Sequence, residues 1–115
     1  MKINIKDHEI ELQYCMRMYL KYEQRTGKSI SFEGMTSYTG ITDLLYCVIA
    51  ATLEHKKYRD LGITLTYEEF LDWTDEQNGT QLMNDFNKWL VDVMKSNADT
   101  EDIKEENTKE RDPNS

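Results

Sequence analysis

Four side chains in this sequence could between them ligate a metal or activate a thiol: Cys15, Cys47, His8 and His55. A structural zinc site draws its four ligands mostly from pairs at short spacing, because one turn or knuckle can then present two donors together. None of these four residues is paired in that way. Cys15 and Cys47 each sit among apolar neighbours, which reads as two reduced, buried thiols. A disulfide is not expected of a cytosolic chain. The carboxylates Glu68, Glu69, Asp72, Asp75 and Glu76 could in principle do acid–base work or hold a divalent ion. They fall on the polar side of an amphipathic helix, where acids form a solvated face. Asp72, Asp75, Glu76 and Asn78 do not make the alternating oxygen-ligand loop of an EF-hand. Gly27, Gly34 and Gly40 are too widely spaced to cradle a phosphate and do not follow a strand. No Ser-His-Asp or Cys-His arrangement is suggested. No catalytic residue, metal ligand or cofactor is assigned, and the chain is expected not to be an enzyme.

Aromatic residues are more informative. The chain has seven Tyr, three Phe and two Trp. Most must build the core, yet Tyr14, Tyr19 and Tyr22 on one short helix exceed what a single buried stripe needs. A tyrosine joins an apolar ring to a polar tip and suits a surface that is wet when empty. Met16, Met18 and Met35 add adaptable contact area. Met18, Tyr19, Tyr22 and Arg25 form the expected partner-binding set; burial of each under the central helix is the competing reading. His8 falls in a predicted turn. His55 falls near the end of the core helix, exposed or held by the helix dipole.

These residues need elements to position them. Ile3 and Ile5, then Ile10 and Leu12, alternate with polar residues and predict two short strands, with a turn over Lys6, Asp7, His8 and Glu9. One hairpin is marginal in water, so helices must cover it. Residues 14 to 26 predict a helix that closes on Gly27, with Lys21 and Arg25 near its C-terminal end. Residues 28 to 40 read as a connection pinned by Phe32 and Met35. Residues 41 to 57 carry the strongest core signal: Ile41, Leu44, Leu45, Val48, Ile49, Thr52 and Leu53 recur at helical spacing, with Cys47, Ala50 and Ala51 on the remaining sides. Each fully buried large aliphatic there contributes roughly 1.5–3 kcal/mol, more than the roughly 0–1 kcal/mol of a surface ion pair. Lys56, Lys57 and Arg59 are expected to complement the C-terminal end of this helix.

Thr66 and Glu69 have capping-box spacing and predict a third helix through Phe70, Leu71 and Trp73. Gly79 interrupts, and residues 80 to 95 predict a fourth, with Leu82, Phe86, Trp89, Leu90 and Val93 on one stripe. From Asn97 to Ser115 the only large aliphatic is Ile103, and seven acids stand against three bases. Such a segment cannot bury enough apolar area to offset its chain entropy. The expected fold is mainly α (α+β): a short N-terminal β-hairpin packed on a bundle of about four helices over residues 1–96, then a disordered acidic tail over 97–115.

Charge and hydropathy narrow the partners. A net charge of −8 disfavours nucleic acid, whose affinity begins with Lys and Arg neutralising phosphates, and disfavours an anionic membrane. No apolar run approaches the roughly 18–20 residues that span a bilayer. The N-terminus lacks the apolar stretch of a signal peptide, so a cytoplasmic location is expected.

The order of segments then resembles a known family. An alternating N-terminus leads into the run from Tyr14 to Ser29, in which Glu23 to Lys28 closes a helix on Thr-Gly-Lys. A helix containing Asp43-Leu44-Leu45-Tyr46-Cys47-Val48-Ile49-Ala50-Ala51 follows, then a helix start at Leu65-Thr66-Tyr67-Glu68-Glu69-Phe70 and a last helix. Over roughly residues 1 to 95 this resembles the tail assembly chaperones of long-tailed bacteriophages and prophages. The resemblance implies a protein that binds the tape-measure protein, keeps it soluble, helps bring tail-tube subunits to it, and is absent from the finished virion. Many members of that family are also made in a longer, frameshifted form; the second region of that form has no counterpart here. Homo-oligomerisation is left open.

Two other classes compete. A small acidic inhibitor or nucleic-acid mimic would array its carboxylates like phosphates and bind a basic partner; here Lys and Arg are interspersed with the acids. A metal protein or enzyme built on Cys15, Cys47, His8 and His55 would carry stoichiometric metal.

Overall fold

The alternating apolar residues of the N-terminus fold as two antiparallel strands, β1 (Lys2–Ile5) and β2 (His8–Glu11), with Ile3 opposite Ile10. The structure, a computed structural model, describes residues 1–31 and 36–106, with side chains as far as Ser96. Ile3, Ile5, Ile10 and Leu12 all point into the core. The turn is tighter than the alternation suggests. Lys6 and Asp7 alone make it, at φ +49° and +69°, and His8 is already paired with Ile5. Positive φ at both central residues is what a two-residue hairpin loop needs to match strand twist.

A two-stranded sheet has two open edges, and each meets a side chain from elsewhere. The Glu11 amide donates to Tyr58 Oη at 2.9 Å, and the Trp73 indole N–H donates to the Asn4 carbonyl at 2.7 Å.

Helix α1 (Met16–Thr26) ends at Gly27, whose φ of +74° lets its N–H reach the Glu23 carbonyl at 2.8 Å. Helix α2 (Tyr38–Glu54) is shifted towards the N-terminus relative to the sequence reading of 41–57. Its start is set by Ser37, whose hydroxyl accepts the Gly40 N–H at 3.0 Å. Its end is set by His55, which turns to an extended conformation. Lys56, Lys57 and Arg59 therefore lie beyond the helix, and its last turn holds no base. No residue from Ile41 to Leu53 is exposed, and Leu45 and Val48 are fully buried, so α2 is the central element. Phe32 and Met35, expected to pin the preceding connection, fall outside the described residues.

Helix α3 (Tyr67–Asp75) has the complete capping box. The Glu69 N–H donates to Thr66 Oγ1 at 3.1 Å, and the Thr66 N–H donates to Glu69 Oε1 at 2.9 Å. Helix α4 (Gly79–Glu106) is capped by Asn78, whose side chain accepts the Gln81 N–H at 3.1 Å. Gly79 thus opens this helix instead of interrupting the chain. Leu82, Phe86 and Leu90 enter the core, while Trp89 and Val93 are half-buried against it. The α4 backbone continues past residue 95 to Glu106; the remainder of the expected tail, 107–115, lies outside the described residues. The architecture is mainly α with an N-terminal hairpin. Among the described residues no helix is long and apolar enough to cross a membrane.

Candidate protein-docking surface

Helix α1 carries two apolar stripes, each with residues one turn apart on the same side of the helix. Met18 and Tyr22 make one, Met16 and Leu20 the other. The structure buries the first: Met18 is 0% and Tyr22 5% exposed. It leaves the second in solvent, with Met16 70% and Leu20 50% exposed. Two members of the expected contact set are therefore core residues, held beneath α1 where it packs on α2.

The other two members stay nearer the surface, each with an internal partner. Tyr19 is half-buried, its hydroxyl bonded to that of Tyr14 and its ring edge-on to Tyr14 at 5.9 Å. Burial first, and that hydrogen bond second, raise its pKa well above the ordinary phenol value. Arg25 donates from Nε to Asp43 Oδ1 at 3.0 Å and lies over the Tyr67 ring at 3.9 Å. Burial opposes its charge, but Asp43 and Tyr67 more than offset this and raise its pKa. Arg25 fastens α1 to α2 and α3.

The exposed stripe borders a groove of about 450 Å³. Cys15, Met16, Arg17 and Leu20 line it from α1 and the residue before it, and His55, Lys56 and Arg59 line it from the segment after α2. That segment is a knuckle. The amides of Tyr58 and Arg59 both donate to the His55 carbonyl, at 2.9 and 2.8 Å, and Gly62 closes it at φ +68°. The bond from Glu11 to Tyr58 Oη ties the knuckle to β2, which sets Lys56 and Arg59 beside the start of α1. Arg17 Nη1 donates across to the Glu54 carbonyl at 2.6 Å.

His55 Nδ1 accepts the Lys57 N–H at 3.1 Å, so that ring nitrogen is engaged with backbone and not with the Cys15 thiol in the same groove. Cys47 is buried in α2, and burial pushes its thiol up to about 11. Both cysteines are free thiols, and among the described residues no group of three or more His, Cys, Asp or Glu is placed to hold a metal ion. The acids of α3 include one engaged carboxylate. Glu69 accepts from Thr66 and from Lys6 Nζ at 3.2 Å, and these bonds, the Thr66 amide first, hold it below its ordinary value.

Comparison with protein-family models, curated proteins and solved structures finds no match to this chain.

The sequence places Met16 and Leu20 on a second apolar face of this helix but does not single them out as the open pair, because Arg17 and Lys21 adjoin both stripes equally. Lys56 and Arg59 carried no signal, because their place beside α1 depends on where α2 stops.

Proposed function

We propose that this chain is a non-enzymatic holding protein, a tail assembly chaperone of the kind its sequence resembles. It binds a long helical tape-measure protein in the host cytoplasm, keeps it dispersed, and helps bring tail-tube subunits to it. It does not remain in the finished virion. The observation that carries this reading is the exposed Met16–Leu20 stripe on α1. Apolar contact at that stripe supplies affinity. The net charge of −8 keeps the complex soluble.

The test is co-expression with a tape-measure protein from the same phage or prophage tail region. Stable co-purification, and a tape-measure protein that precipitates without this chain, is the expected result. A tape-measure protein that stays soluble alone and is not retained would count against the proposal. A gene position between those for the tail tube and the tape measure would add independent support.

A further inference from the structure

We infer that the groove between α1 and the 55–61 knuckle receives an amphipathic helix whose apolar stripe is flanked by carboxylates. This deepens the holding role proposed above and rests on it for its biological setting, but the groove chemistry stands on its own observations. Arg17, Lys56 and Arg59 line the groove and no carboxylate does, in a chain whose net charge is −8. Glu54, at the end of α2, points its carboxylate to Lys21 at 2.7 Å, while Arg17 holds only the Glu54 backbone carbonyl, and Asp60 of the knuckle is not among the groove-lining residues. Lys56 and Arg59 are exposed and make no ion pair among the described residues. A local excess of positive charge on an acidic protein selects an acidic partner and repels a basic one.

The floor decides the partner's shape. Met16 and Leu20 stand one helical turn apart, which matches the i, i+4 anchors of an incoming helix. A strand-like partner would need an open sheet edge. The groove has none, because its lining comes only from α1, the residue before it and the 55–61 knuckle. Single-stranded nucleic acid would need exposed aromatic rings for stacking, and the open floor residues are aliphatic.

Fluorescence anisotropy tests this with three labelled probes. One is a synthetic helical peptide of about 20 residues with leucines on one stripe and glutamates beside them; the second has lysines in place of the glutamates; the third is an oligothymidylate of about the same length. The expected result is binding of the glutamate peptide, at least about tenfold weaker binding of the lysine peptide, and no binding of the oligonucleotide. K56E/R59E should reverse the peptide preference, and M16S/L20S should weaken the glutamate peptide at least about tenfold. All four positions are exposed, and circular dichroism checks that each variant keeps its fold. Equal binding of the two peptides, tighter binding of the oligonucleotide, or indifference to K56E/R59E would overturn the assignment. So would dimerisation of the protein alone that K56E/R59E abolishes, since a second copy would then occupy the groove. The two proposals fail separately. Retention of the tape-measure protein by K56E/R59E as strongly as by the native chain sinks the groove assignment alone. Selective peptide binding without retention sinks the chaperone role alone.

Discussion

The Gln13 amide donates to Thr52 Oγ1 at 2.9 Å, and the same hydroxyl donates to the Val48 carbonyl at 2.8 Å. One fully buried hydroxyl thus joins the exit of the hairpin to the central helix. Replacing it by a methyl keeps the shape and removes the acceptor. Thr52→Val should lower the unfolding free energy by about 1–3 kcal/mol, the cost of leaving an amide unsatisfied. Urea denaturation checks this; an unchanged midpoint would mean that water reaches the Gln13 amide.

The two stripes of α1 should respond oppositely to truncation. Met18→Ala opens a cavity beneath α2 and should cost about 2–5 kcal/mol. Met16→Ala, at a largely exposed position, should change stability by no more than about 0.5 kcal/mol. A larger loss for Met16→Ala than for Met18→Ala in thermal or chemical unfolding would mean that the stripes have been assigned the wrong way round, and equal losses that α1 buries both.

Glu69 predicts a pH dependence with a definite sign. Its pKa is held below the ordinary 4.5 in the folded chain by the Thr66 amide and Lys6. Its stabilisation is therefore complete above that value and is lost as pH falls through the folded pKa. Wild type should exceed Glu69→Gln in stability at pH 7, and the difference should shrink from about pH 4.5 downwards. A gap that is constant from neutral to acid pH would assign the effect to shape instead of charge.

Thiol labelling should separate the cysteines. Cys15 is partly exposed, whereas Cys47 is buried with its thiol pushed up to about 11. A disulfide reagent at pH 8 should modify one thiol in the native protein and both in denaturant. Cys15→Ser should abolish the native reaction; fast native labelling of that variant would show that Cys47 is accessible.

The hairpin loop carries a conformational cost that glycine can relieve. Asp7 sits at φ +69°. Asp7→Gly should raise the unfolding free energy by about 0.5–1 kcal/mol. Lys6→Gly should bring no such gain, because Lys6 Nζ also donates to the Thr64 carbonyl at 2.7 Å and to Glu69. Paired urea titrations of the two variants distinguish them; a gain at both positions would show that the Lys6 contacts contribute nothing.

Features that depend on near neighbours were legible in the residues alone. The strands at Ile3, Ile5, Ile10 and Leu12, the Gly27 stop, the Thr66–Glu69 box and the buried run from Leu44 to Leu53 all arise within a few residues, so local spacing suffices to read them. The borders of α2 shifted because Ser37 and His55 act through single caps that hydropathy does not see. Which stripe of α1 stays open is set by long-range packing. Met16 with Leu20 and Met18 with Tyr22 have the same spacing, and the more apolar pair is the one left open, so their fates diverge only when α1 docks on α2. The positive groove has the same origin. Arg17 is far in sequence from Lys56 and Arg59, and they meet because α2 ends at Glu54 and Tyr58 anchors the returning chain to β2. Burial and charge clustering are long-range properties of the packed chain, and no local pattern carries them.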